Sequence, residues 1–216
     1  MKIFVTGFHR AGSHSITKAT ALKHNLPWIE EGRIRYDSFN AVLELCAGKF
    51  PKWERIGKKM EMKSYHAENL RKGFVLHCPG LAHKTLELAK LGNVIWCKRD
   101  MLDIVTSMRN GGMDNVSWHL MRCMRDEFSE DPIWSDIEQC YDGTDDNFYG
   151  FVKHMTLYAK VKEYFFEKYF KDVCEVIRLD DQDYYDKEKS VSHINPLKPV
   201  ELGMVKEVLN ASFRIH

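Results

Sequence analysis

Residues 2–15 read Lys2-Ile3-Phe4-Val5-Thr6-Gly7-Phe8-His9-Arg10-Ala11-Gly12-Ser13-His14-Ser15. A short apolar run ends at Gly7, a small loop closes at Gly12, and a helix-like segment follows. The pattern predicts a buried strand, a tight loop and a helix N-terminus. Such a loop aims backbone N–H groups at one point, and the helix dipole adds partial positive charge there. That is the chemistry of a phosphate or sulfate cradle. The spacing Gly7-x4-Gly12 fits the nucleotide P-loop, but Ser13 stands where that motif has lysine, and the cation inside the loop is Arg10. Two readings stand: an anion-binding loop of P-loop type that is not an ordinary ATPase loop, or a β–α turn with incidental glycines.

Downstream, strands and helices alternate. Phe74-Val75-Leu76-His77 reads as a strand entering a Pro79-Gly80 turn, and 81–91 as a helix stopped by Gly92-Asn93. Val94-Ile95-Trp96-Cys97 is a further buried strand, followed by a helix over 101–110 that ends at Gly111-Gly112. Helices are also expected over 13–24, 36–47, 149–170 and 199–211, with a late strand over 174–179. Residues 50–64 read as an exposed connection. Residues 111–148 mix glycine, tryptophan and acids and read as a mobile, lid-like segment rather than a second domain. The alternation predicts an α/β fold: a parallel central sheet flanked by helices in three layers, with right-handed crossovers. With 216 residues, 44% of them apolar, one core suffices, so a single domain over 1–216 is expected.

Composition narrows the partners. The net charge of +1 argues for neither nucleic acid nor an anionic membrane. The six cysteines form no CxxC half-site and no dense disulfide framework, so a reducing compartment is the simplest expectation. Ile3-Phe4-Val5 is too short for the apolar region of a signal peptide, and no stretch reaches the roughly 20 apolar residues of a membrane span. A soluble, cytoplasmic protein is expected.

Ligands of parallel sheets bind at the carboxyl ends of the strands. Three predicted strand ends carry polar chemistry: Arg10 at the first, His77 at the second, and Lys98-Arg99-Asp100 with Asp103 and Ser107 at the third. Each has a plainer reading. A lone histidine ending a strand is usually structural, Arg99-Asp100 can be a surface ion pair, and Ser107 an ordinary helix residue. Their joint placement at strand ends favours function. A Cys78–His77 nucleophile pair is disfavoured because neighbours on a strand point to opposite faces. His77 and His83 lack further ligands at metal-site spacing, so no metal site is expected. The aromatic stripe Phe148, Tyr149, Phe151, Tyr158, Phe165 and Phe166 reads as core, and the lysines of 49–63 as a solvated surface.

On these residues the chain resembles the sulfotransferases that use 3′-phosphoadenosine 5′-phosphosulfate (PAPS). The family's first loop, roughly Pro-(Lys/Arg)-Ser-Gly-Thr-(Ser/Thr), corresponds here to His9-Arg10-Ala11-Gly12-Ser13-His14. Its second signature, Arg-Asp/Asn-Pro-x-Asp-x-x-x-Ser after a buried strand, corresponds to Arg99-Asp100-Met101-Leu102-Asp103-Ile104-Val105-Thr106-Ser107. The Thr-His-Leu-Pro signature of the cytosolic branch is echoed by Leu76-His77-Cys78-Pro79, whose histidine lies 22 positions before Arg99. A weaker echo of a late strand and acidic turn is Val176-Ile177-Arg178-Leu179-Asp180-Asp181. The resemblance covers residues 2–25 and 73–110, and faintly 149–185. Departures are His9 for proline, Ala11 for serine, His14 for a hydroxyl and Met101 for proline. The family's late Arg-Lys-Gly segment has no counterpart, and Lys198 is the candidate substitute.

The resemblance implies a P-loop-like sulfotransferase fold and transfer of a sulfuryl group from PAPS to a hydroxyl or amine by in-line displacement, with release of 3′-phosphoadenosine 5′-phosphate (PAP) and no metal. It implies catalytic roles for Arg10, as the charge at the transferring group, and His77, as the base. Donor contacts fall to Arg10, Ala11, Gly12, Ser13, His14 and Ser15 at the loop, and to Arg99 and Ser107 for the 3′-phosphate. Glu30, Glu31 and His83 are the next candidates for the base. The acceptor is expected to be a small molecule or glycan. The competing expectations are a P-loop nucleotide or small-molecule kinase and an inactive PAP-binding protein.

Overall fold

Ile3, Phe4 and Val5 are buried on both faces of their strand, as the middle of a parallel sheet requires. They belong to β1 (Lys2–Gly7), which pairs in parallel with β3 (Phe74–His77) on one side and β4 (Asn93–Lys98) on the other. β2 (Trp28–Ile29) extends the sheet beyond β3, and β5 (Glu175–Arg178) beyond β4, giving the order β2-β3-β1-β4-β5 with all strands parallel. The structure, a computed structural model, describes residues 1–30, 39–49, 67–112, 114–140, 148–182 and 195–210. The expected connection over 50–64 lies outside the described residues. Among those described, no helix is long and apolar enough to cross a membrane.

The chain divides into two compact units, Met1–Lys98 with Lys171–Ile177, and Arg99–Phe170 with Arg178–His216. The first holds the sheet, α1 (Ser13–His24), α2 (Phe39–Cys46), α3 (Ala67–Lys72) and α4 (Thr85–Leu91). Its core joins Phe4, Leu76 and Val94 of the sheet to Val42 and Leu45 of α2 and Leu88 of α4. Gly7 closes β1 at φ 106°, and a Cβ there would lie 2.7 Å from the backbone N and O of Cys97. Gly7→Ala is therefore expected to lower stability by at least ~1–3 kcal/mol, from the left-handed backbone alone, as read by urea unfolding.

The second unit is helical among its described residues: α5 (Met101–Asn110), α6 (Asp114–Glu127), α7 (Ile133–Cys140), α8 (Phe148–Phe165) and α9 (Pro199–Asn210). α8 packs against α5, α6 and α9, and runs on into a π-helical turn at Phe166–Phe170. Asp131 ties its loop to that turn. It accepts hydrogen bonds from Tyr164 (2.9 Å), Lys168 (2.8 Å) and Tyr169 (2.7 Å), and from the Ile133 N–H at the start of α7 (3.0 Å). Burial raises the pKa of this carboxyl, but those bonds outweigh it and hold it below the ordinary value. Buried Glu201 bonds Arg109 of α5 (3.3 Å) and the Lys198 N–H (2.6 Å), securing the start of α9.

One expectation is corrected. The helix expected over 81–91 starts at Thr85. Pro79–Lys84 is a 3₁₀ turn with Leu81 outside helical geometry, because the chain leaves β3 through Pro79-Gly80. The lid-like segment expected over 111–148 is helical in its described part, with Ser117, Leu120, Met121 and Met124 buried on one face of α6. That is i, i+3, i+4, i+7 spacing, which buries one helix face; residues 113 and 141–147 lie outside the described residues. Tyr158, Phe165 and Phe166 are core, as expected.

Candidate functional site

β1 is where the chain order of the sheet reverses: it is followed through α1 by β2 on one side, while β4 lies on the other. Ligands of open α/β sheets bind at such switch points, at the strands' carboxyl ends. The Gly7–Ser13 loop sits there. Phe8 anchors it, donating its N–H to Cys97 O (3.2 Å) and packing edge-on to Trp96. Arg10 (φ 64°) and Gly12 (φ 73°) both adopt left-handed backbone on either side of fully buried Ala11. Left-handed residues interleaved in a turn fold successive N–H groups into a concavity suited to an anion.

Gly12 is the N-cap of α1, so no side chain caps the helix, and its first turn carries no acidic residue. The partial positive charge of the terminus is thus left for a ligand. Arg10 is exposed on the loop, and Ser15 is exposed in the first turn. These features fit a phosphate or sulfate group.

His77 is fixed by the joint between β3 and β1. Val5 pairs with His77 across the sheet, Cys78 N–H donates to Val5 O (2.8 Å), and the Thr6 hydroxyl donates to Cys78 O (3.2 Å). His77 Nε2 then lies 2.8 Å from Ser13 Oγ, and Thr17 bonds Ser13 O (2.7 Å) one turn along α1. The His14 ring stands edge-on to His77 with centroids 5.7 Å apart, and His14 Nε2 is 3.8 Å from Glu30 Oε1. Burial, and then the charge of His14, press the His77 pKa down to about 4. His77 is therefore a neutral imidazole near pH 7, able to accept a proton at one ring nitrogen.

Of the loop residues, Ser13 and His14 thus meet His77 in the first unit. Glu31 lies outside the described residues, and His83 is buried in the 3₁₀ turn. Cys78 belongs to the apolar core, where its Sγ donates to Leu76 O (3.7 Å). Arg99 and Ser107 belong to the second unit. There Arg99 is nearly buried, with Nη2 3.5 Å from Asp103 Oδ2, and Ser107 is buried in α5. Asp100 caps α5, accepting from the N–H groups of Leu102 (2.9 Å) and Asp103 (3.2 Å). Its own N–H donates to Asp180 (3.2 Å), in the acidic turn after β5.

Sequence reasoning missed the Ser13–His77 bond. Its only trace in the sequence is that both residues follow strand ends. Among the described residues, no group of three or more His, Cys, Asp or Glu side chains is placed to hold a metal ion. No family model matches the sequence, and no curated protein matches it.

Proposed function

We propose that this chain is a sulfotransferase that takes its sulfuryl group from PAPS, on a sulfotransferase-type version of the P-loop fold. The observation that carries the reading is the contact of Ser13 with His77 at the uncapped start of α1. It supports a reading in which a neutral base works beside an anion cradle. When bound, PAPS supplies the activated sulfuryl group and leaves as PAP. Arg10 stays protonated and contributes charge, not a proton. With the N–H groups of the loop it stabilises negative charge as it develops on the leaving oxygen. Ser13 yields its bond at Nε2 when an acceptor hydroxyl reaches that nitrogen, and His77 takes the acceptor's proton. The acceptor class proposed is a small molecule or glycan.

Arg99 and Ser107 carry the proposed recognition of the 3′-phosphate. The planar fork of arginine suits a phosphate, and the neighbouring serine adds a hydroxyl. Arg99→Ala is expected to erase the preference for PAPS over adenosine 5′-phosphosulfate, which lacks that phosphate. The loss is that of one charge-assisted contact, about 1.5–3 kcal/mol. Competition between the two donors in wild type and variant reads it directly. Discrimination that survives the substitution removes Arg99 from this role. The function itself is tested by PAP release from PAPS over a panel of alcohols, phenols, amines and sugars. A panel with no acceptor-dependent release contradicts it.

A further inference from the structure

The unit of Arg99–Phe170 and Arg178–His216 contains a cavity of its own, about 330 Å³ between α6, α7 and α8. That is the lower range of small-molecule sites, which are mostly apolar with a few polar groups fixing orientation. Trp118, Arg122 and Arg125 reach it from α6, Trp134 and Glu138 from α7, and His154 from α8. On α6 the three sit on one face at i, i+4 and i+7, so the helix presents them together.

The walls are flat and uncharged. Trp118 stacks on His154 with ring centroids 3.7 Å apart and planes 10° from parallel. His154 is almost wholly buried, and burial lowers its pKa to about 4, outweighing a hydrogen bond with the Ser117 backbone. Trp118 is thus backed by a neutral ring at pH 7, yet it remains 40% exposed. The Trp134 indole N–H donates to Phe128 O (2.7 Å), so Trp134 offers the cavity its ring and not its donor. Against these rings an aromatic ligand stacks with offset or edge geometry.

The rim carries a cation. Arg125 is bonded to Glu138, and that exposed pair cancels. Arg122 is exposed and makes no ion pair or hydrogen bond with any described residue. The described rim therefore has one positive charge in excess. We infer that the α6–α7–α8 cavity is a binding site for a flat aromatic molecule bearing one anionic group, stacked on the Trp118 indole with its anion at Arg122. This site does not rest on the proposed sulfuryl transfer, and it takes a ligand different from the donor.

Calorimetry with 2-naphthoate and its neutral counterpart 2-naphthamide tests it on the whole chain. Wild type is expected to bind one naphthoate saturably and about tenfold more tightly than the amide, one charge-assisted contact being the difference. R122Q is expected to bring the two probes to equal affinity, and R122K to restore part of the preference. Trp118→Ala is expected to weaken both probes, with circular dichroism checking that the variant is folded. Arg10→Ala is expected to leave naphthoate binding unchanged. Equal affinities in wild type, a preference that survives R122Q, loss of binding in Arg10→Ala, or no saturable binding of naphthoate each overturns the inference.

Discussion

His77→Ala is expected to slow sulfuryl transfer by roughly 10²–10⁴-fold, the range for loss of a general base, while PAP affinity stays nearly unchanged. The imidazole is held at the end of β3 by the Val5 register and the Thr6–Cys78 bond, with Nε2 2.8 Å from Ser13 Oγ. It lies at the end of β3 and not in the loop, so its removal frees Ser13 Oγ but leaves the loop backbone in place. The pH dependence distinguishes it from an ordinary histidine. Its pKa is lowered from 6.5 to about 4, by burial first and by His14 second. The base is active when deprotonated, so the rate is expected to hold as pH falls through 6 and 5, and to drop only near 4. A kcat/KM profile of PAP release records it. A drop centred near 6.5 points to an exposed histidine, and a His77→Ala variant that turns over normally passes the role to Glu30 or another group.

Arg10→Ala is expected to cost about 10²-fold or more in transfer, the usual loss when one transition-state charge contact is removed. PAP affinity is expected to fall less, because PAP lacks the sulfuryl group whose departure Arg10 serves. The substitution is informative because Arg10 sits at φ 64°. Alanine carries the same left-handed strain as arginine, so the variant removes charge without relaxing the loop. Single-turnover rates and PAP titrations on the same preparation separate the two effects. Equal losses in both would make Arg10 a binding residue only.

What could be read in advance follows from the range of the forces involved. β1, the loop and α1 were legible because buried apolar runs, two glycines and a helix start are local signals. α5 was legible end to end: Asp100 caps it and Gly111-Gly112 ends it. β2 was not, since two residues carry no periodicity and only the pairing of Trp28 and Ile29 with β3 makes them a strand. α6 had a readable face in Ser117, Leu120, Met121 and Met124, but the flanking Gly111-Gly112 and the acidic run after Arg125 hid it. At the site, the residue types and their strand-end positions were visible. The Ser13–His77 contact was not, because it depends on the β1–β3 register across 64 residues. The depressed pKa of His77 arises from burial and from His14, neither of which a sequence displays.

The central claim is that the Gly7–Ser15 loop holds a sulfonucleotide and not a magnesium–triphosphate. Calorimetry of PAP and ATP, each with magnesium and with chelator, tests it most directly. PAP is expected to bind equally well with and without magnesium, and more tightly than ATP in either condition. Tight, magnesium-dependent binding of ATP with no binding of PAP would contradict the account and make the loop that of a kinase.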